Sequence, residues 1–213
     1  SDYIQQFCPA SAYALLSGPN LAEEILNKQP AAAVVASKST ELANMVQRTL
    51  SQDLFRVYTS QDVKGVEVAG VLKNIIAVAA GCSDAMNCGE NAKAALITRG
   101  LNEIMHFGLH FNASENTFYG LAGLGDLIAT CASSKSRNYK LGYQLGSGID
   151  FSEIEFDLKQ TAEGISTIRK VKDIIDKEGL SMPIAEKMYE LIFESKKPNL
   201  ILSELMNRKL KQE

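Results

Sequence analysis

The chain has 213 residues, of which 46% are hydrophobic and 22% charged, a balance that excludes a disordered or fibrous protein and fits one large domain or two small ones. A formal net charge of −3 argues against a general nucleic-acid binder, which needs an excess of Lys and Arg. No run reaches 18 uncharged apolar residues, so no membrane span is expected, and a chain this long can bury about 70% of its unfolded surface without disulfide or metal staples.

The sequence opens at Ser1 without an initiator Met, which leaves its true N-terminus open, and no targeting segment is expected within it. Ala12–Ser17 and Ala32–Ser37 are short apolar runs closed by turn-forming residues, which reads as two buried strands. Between them Ser17-Gly18-Pro19 predicts a tight turn before a helical pattern over Ala22–Asn27, and the N–H groups beyond that turn can meet an anion or a carbonyl. Ser39–Leu50 reads as a helix with Leu42, Met45, Val46 and Leu50 on one face. Leu54–Thr59 is β-branched and aromatic, a third strand. This is the vocabulary of an α/β sheet, in too few units for a complete doubly wound domain.

Near residue 62 the strand signal gives way to helical spacing. Val63–Ala80 and Asn91–Leu109 are long and apolar, and further helical patterns cover Asn138–Leu145, Gly164–Lys177, Pro183–Ser195 and Leu200–Leu210. Gly179 is placed as a stop and Pro183 as a first-turn residue. The expected organisation is therefore the end of an α/β domain over 1–62 and an all-helical domain over 63–213. Cys8, Cys82, Cys88 and Cys131 form no C-x-x-C pair, so reduced, partly buried thiols and a cytoplasmic location are expected.

Three local features bear on chemistry. Lys73 lies inside an otherwise apolar helix, with Ala69 and Gly70 one turn before it and Ile76 and Ala77 one turn after, while Val68, Val71, Leu72, Ile75 and Val78 supply packing. Such a lysine either snorkels to water along its stem or is held dry, where a lowered pKa makes it an acid–base group; Asn74 beside it can bond the same ligand. In residues 120–138, Gly120, Gly123 and Gly125 allow tight backbone geometry before Asp126, and Ser136, Arg137 and Asn138 open a helix. That start is either a plain Ser cap or a phosphate grip. Arg99, Glu103, His106 and His110 share one helix face, which reads as a polar face with an internal Arg–Glu pair rather than a metal site. These are the chain's two histidines, which leaves little for a His-based triad, and no glycines fall in G-x-G-x-x-G order.

Taken together, SGPNLAEE (17–24), GVEVAGVLKNIIAVAAG (65–81), GENAKAALITRGLNEI (89–104), GLAGLGDLIATCASSKSRN (120–138) and AEGISTI (162–168) resemble the bacterial-type NAD(P)-dependent glycerol-3-phosphate dehydrogenases, in the family's order and over nearly the whole chain. The resemblance implies a helical domain like that of 6-phosphogluconate dehydrogenases behind the last strands of a Rossmann-type domain. It implies interconversion of dihydroxyacetone phosphate and sn-glycerol 3-phosphate with NAD(P)H, a supply of glycerol 3-phosphate for phospholipid synthesis, and no metal; the apolar helices, for their part, suit either a core or a homodimer face, which periodicity does not distinguish.

By the same resemblance Lys73 is the catalytic lysine at the substrate C2 oxygen, and Asp126 the carboxylate beside it. Gly18, Asn20, Asn74, Thr130, Ser136, Arg137 and Asn138 fall at substrate positions, with Asn20 departing from the usual Ser or Thr. Ala22, Arg137, Thr161 and Glu163 fall at cofactor positions. The family begins with a further stretch carrying the dinucleotide turn and a second lysine, so the chain is expected to be a C-terminal portion that does not turn over alone, with NAD or NADP preference set elsewhere. A rival reading is a non-catalytic helical module for metabolite binding or dimerisation. The reading frame upstream of Ser1 and titration with NADH and glycerol 3-phosphate separate the two.

Overall fold

The computed structural model describes residues 6–7, 12–157, 162–209 and 212, with the side chains of 155–157 and 162–163 left aside. The chain divides into two compact units, Ser1–Lys73 with Ile104–Thr130, and Asn74–Glu103 with Cys131–Glu213.

The first unit is built on three strands. β1 (Leu15–Ser17) runs antiparallel to β2 (Ala31–Ala36), with Leu15 opposite Ala36 and Ser17 opposite Val34. β2 runs parallel to β3 (Phe55–Ser60), with Ala31 opposite Phe55. The short helix α1 (Ala22–Leu26) joins the first two strands and α2 (Thr40–Leu50) the second two, the crossover that a parallel pair requires. All-apolar β2 is covered on both faces. Val34 and Ala36 pack with Val63, Val66 and Ala122, and Val35 with Ala43 and Val57. Ser39 caps α2, its hydroxyl accepting from the Leu42 N–H at 3.2 Å.

Two expectations change here. The first strand is shorter than Ala12–Ser17, because only Leu15–Ser17 meets a partner across the sheet. Met45 is 57% exposed, and the face of α2 that packs runs through Ala43, Val46 and Leu50.

The helices follow in order: α3 (Val63–Ala85), α4 (Glu90–His110), α5 (Glu115–Tyr119), a π-helical turn (Leu121–Gly125), α6 (Asp126–Ala132), α7 (Arg137–Gly146), α8 (Phe151–Asp157), α9 (Ala162–Glu178), α10 (Pro183–Phe193) and α11 (Pro198–Met206). Gly179, at φ +67°, ends α9, and Pro183 opens α10, as their positions predict. α5, α6 and α8 carry no long apolar period and are new relative to the sequence pattern. By length and mean hydropathy α3 would suffice to cross a bilayer although it holds no uncharged run of 18; 67% of its most apolar 18-residue window is buried in the protein itself, as in a core helix. Cys82, Cys88 and Cys131 are free thiols, the first and third buried, and Cys8 lies outside the described residues.

In the second unit α3 and α7 meet backbone to backbone. A Cβ on Gly142 would lie 1.8 Å from the Val78 carbonyl oxygen, one on Gly81 2.0 Å from that of Tyr139, and one on Gly146 2.6 Å from that of Cys82. Asp84 then accepts from both the Tyr139 hydroxyl and the Lys93 ammonium, each at 2.6 Å, tying α3, α4 and α7 together.

Glu103 overturns the polar-face reading of α4. Arg99, His106 and His110 are exposed, but Glu103 is buried. Its carboxylate accepts from the backbone N–H groups of Ile184 (2.8 Å) and Ala185 (3.3 Å). It thus caps α10 from a distant part of the chain, at the helix end whose N–H groups have no intrahelical partner. Burial pushes the Glu103 carboxyl up to about 7, against the opposing pull of those two N–H groups. A carboxyl whose folded pKa lies above its unfolded value contributes stability that is fully present below about 4.5 and is lost as pH rises through about 7. Between pH 5 and pH 8 the protein should therefore lose about 2 kcal/mol relative to Glu103→Gln. Urea unfolding at both values checks this, and parallel losses in the two proteins would refute it.

Candidate functional site

Within the first unit, α3 carries Lys73 and the residue that opens α6 is Asp126. Their side chains form an ion pair of 2.6 Å, with side-chain exposures of 19% and 7%. Ala69 is buried and Gly70 bears no side chain, so the turn before Lys73 is narrow. Of the residues the sequence pattern assigns to packing, Leu72, Ile75 and Val78 are buried, whereas Val71 is 43% exposed. Thr130, one turn after Asp126 on α6, donates its hydroxyl hydrogen to the Asp126 carbonyl at 2.6 Å and lies 3.3 Å from the Asp126 Oδ1. The ammonium spends one of its three donors on Asp126 and keeps a path to solvent. A partly exposed cation braced by a buried carboxylate can polarise a carbonyl and exchange a proton with its oxygen.

The Ser17-Gly18-Pro19 turn lies against the same two segments. The Ser17 Oγ is 3.3 Å from where a Cβ on Gly70 would sit, and the Pro19 ring is 3.6 Å from the corresponding position at Gly125. Gly18 is at φ +135° with its Cβ direction 3.0 Å from the Ala33 Cα, so a side chain there would be strained and crowded against β2. The turn therefore borders both the stretch of α3 before Lys73 and the residue before Asp126. Asn20 and Ala22 follow it, Asn20 half-buried and Ala22 exposed at the start of α1. A cleft of about 360 Å³ in this unit is lined by Ala32, Val34, Tyr58, Ser60, Thr117 and Leu121 among others; neither Lys73 nor Asp126 is in its wall.

In the second unit, Ser136 caps α7, its hydroxyl accepting from the Tyr139 N–H at 3.3 Å, and Arg137 and Asn138 form the first turn. The Asn138 Oδ1 lies 2.1 Å from where a Cβ on Gly164 would sit, so the starts of α7 and α9 are in contact and a side chain at 164 would displace the Asn138 amide. Asn74 follows Lys73 on α3 and is half-buried. Glu163 lies in the first turn of α9 with its side chain outside the description, and Thr161 lies outside the described residues. Among the described residues no cluster of His, Cys, Asp and Glu could hold a metal.

The structure thus brings Lys73, Asp126 and Thr130 together in one unit, with Gly18 in the adjoining turn, and the Ser136–Asn138 start with Gly164 in the other. The sequence pattern singles out neither Asp62 and Thr117, which bond to each other at the starts of α3 and α5, nor Asp84, Lys93 and Tyr139, which tie α3, α4 and α7 together. The pattern D-x-x-G before an apolar run at 62–65 was a readable helix-start signal for the first of them.

Comparison with known proteins gives a consistent result. The sequence profile of the NAD-dependent glycerol-3-phosphate dehydrogenase C-terminus matches residues 62–203, and that of the N-terminus matches residues 1–43. The chain is 47% identical to a glycerol-3-phosphate dehydrogenase (NAD(P)+) of Psychrobacter cryohalolentis over 92% of its own length and 46% of the relative's. It is 46% identical to one from Synechocystis over all of its length and 67% of the relative's. A crystal structure of glycerol-3-phosphate dehydrogenase from Coxiella burnetii superposes with a TM-score of 0.93 at 36% identity, over 97% of this chain and 64% of that one. The chain spans about half to two thirds of the length of these relatives.

Proposed function

The chain belongs to the NAD-dependent glycerol-3-phosphate dehydrogenase family, and on that premise we propose that it supplies the proton-handling and phosphate-gripping residues for interconverting dihydroxyacetone phosphate and sn-glycerol 3-phosphate. The observation that carries the reading is the 2.6 Å pair of Lys73 and Asp126, a cation held at the end of a narrow helix turn by a buried carboxylate.

Lys73 as an ammonium polarises the C2 carbonyl of the substrate and gives its proton to the oxygen as negative charge develops there; in the reverse direction it takes that proton back. Asp126 keeps the ammonium oriented, and Thr130 steadies the backbone on which Asp126 sits. Ser136, Arg137 and Asn138 bind the substrate phosphate, where a guanidinium and free helix N–H groups suit a dianion. Gly18, Asn20 and Asn74 line the substrate. A reduced nicotinamide cofactor, when bound, supplies the hydride; Ala22, Arg137, Thr161 and Glu163 are the positions that would meet it. The fit is chemical at Arg137, a cation in the first turn of α7 beside a capping Ser. The three free thiols described support a cytoplasmic setting, and the product is a precursor for acylation in phospholipid synthesis.

The test uses the protein translated from the complete reading frame that contains this chain. Dihydroxyacetone phosphate should consume NADH or NADPH, read as loss of nicotinamide absorbance, and dihydroxyacetone without its phosphate should be slower by at least about 10³-fold, since remote binding energy is spent on the reacting centre. Equal rates for the two ketones, or none for either, would overturn the proposal.

A further inference from the structure

Asp62 lies outside the residues assigned above, yet its carboxylate accepts three hydrogen bonds. Its Oδ1 accepts from the Gly65 N–H at 2.9 Å, which caps the start of α3. Its Oδ2 accepts from the Ser114 N–H at 2.9 Å and from the Thr117 hydroxyl at 2.6 Å, both at the start of α5. A Cβ on Gly65 would lie 2.0 Å from that Oδ2 and 3.0 Å from the Thr117 Cγ2. The clasp therefore closes over a residue that can have no side chain.

Both ends of the clasp lead to the reacting pair by stiff routes. α3 runs from its cap at Asp62 to Lys73 over about 16 Å of unbroken helix. In the other direction, Thr117 adjoins Phe118, which is fully buried. The ring of Phe118 fills the space of a Cβ on Gly108, and its carbonyl oxygen lies 2.1 Å from the corresponding position on Gly123. Three residues beyond Gly123, in the next turn of chain, comes Asp126. A close-packed path of this kind transmits a shift at Thr117 rather than absorbing it.

We propose that Asp62 is a positioning residue that sets the distance between Lys73 and Asp126 by locking the start of α3 to the start of α5. The inference rests on the reading of Lys73 and Asp126 as the proton-handling pair, but its test reads their coupling and not turnover. On the full 213-residue chain, urea unfolding followed by circular dichroism gives the coupling between Lys73→Met and Asp126→Asn, first with Asp62 intact and then in an Asp62→Asn background.

With Asp62 in place the pair should couple by about tenfold in the unfolding constant, as contacting charged groups do. In the Asp62→Asn background the coupling should fall to about twofold or less. A carboxylate with a merely structural role would weaken all four proteins of the cycle alike and leave the coupling at its original value, which would overturn the proposal. No coupling with Asp62 intact would overturn it too, together with the pairing itself. If Asp62→Asn does not fold, Thr117→Val removes one of the three donors and should lower the coupling to an intermediate value; an unchanged coupling there is equally decisive. A collapsed coupling beside a failed ketone assay would retain the positioning role and remove only the reaction.

Discussion

Replacing Lys73 by Met is expected to lower turnover of dihydroxyacetone phosphate by about 10³- to 10⁴-fold while the Michaelis constant changes by less than about tenfold. The estimate combines loss of the general acid with loss of a charge that meets the developing alkoxide. In free energy it is about 4–5 kcal/mol of transition-state stabilisation, most of it absent from the ground state. The variant has a structural cost, because Asp126 is buried and would be left as an unpaired carboxylate. Lys73→Met with Asp126→Asn removes that cost and separates it from catalysis: the double variant should regain stability and stay inactive. Lys73→Arg restores charge without a releasable proton and should recover little turnover. Steady-state kinetics on the protein from the complete reading frame decide this, and a Lys73→Met variant within tenfold of normal would remove the lysine from the mechanism.

Gly142→Ala is expected to destabilise the protein by about 3 kcal/mol, with a melting temperature lower by about 10 °C for a chain of this length. The sign makes the experiment informative. At an open helix position the same change should stabilise by up to about 1 kcal/mol, because alanine is the better helix former. Here the new methyl would sit 1.8 Å from the Val78 carbonyl oxygen, and its three nearest atoms are all Val78 main chain in regular helix, with no side chain free to swing away. The helices must part, and with them the bond from the Tyr139 hydroxyl to Asp84. Because Ser136–Asn138 open the same helix, the variant should also bind glycerol 3-phosphate more weakly. Calorimetry that showed an unchanged or higher melting temperature would mean that α3 and α7 are not in backbone contact.

Much of this site was legible along the chain, and its gaps have physical causes. Lys73 stands out because a charge in an apolar helix flanked by small residues needs a reason, and Ser136 because its oxygen reaches an N–H three residues on. Both are local signals. The partnership of Lys73 with Asp126 is not local, and periodicity had no means of finding it; the family resemblance supplied it. Glu103 shows the opposite failure. Its spacing from Arg99 suggests a pair on a solvated face, but its true partners are N–H groups 81 and 82 residues away, and a helix end in need of a cap leaves no mark on the helix that provides it. Met45 and Val71 obey the apolar period and still face outward, because the period reports which residues could be buried while the neighbouring elements determine which are.

The π-helical turn at Leu121–Gly125 makes the geometry of the Lys73–Asp126 pair depend on a count of residues as well as on their identities. Its bond from the Gly125 N–H to the Gly120 carbonyl spans five residues instead of four. Removing any single residue between Gly120 and Asp126 would let the turn close into ordinary helix and swing Asp126 about 100° around the axis, away from Lys73, with every named functional side chain still present. Two homologues could thus share all of these residues and differ in activity through one deletion, which residue-by-residue comparison of the site would not reveal.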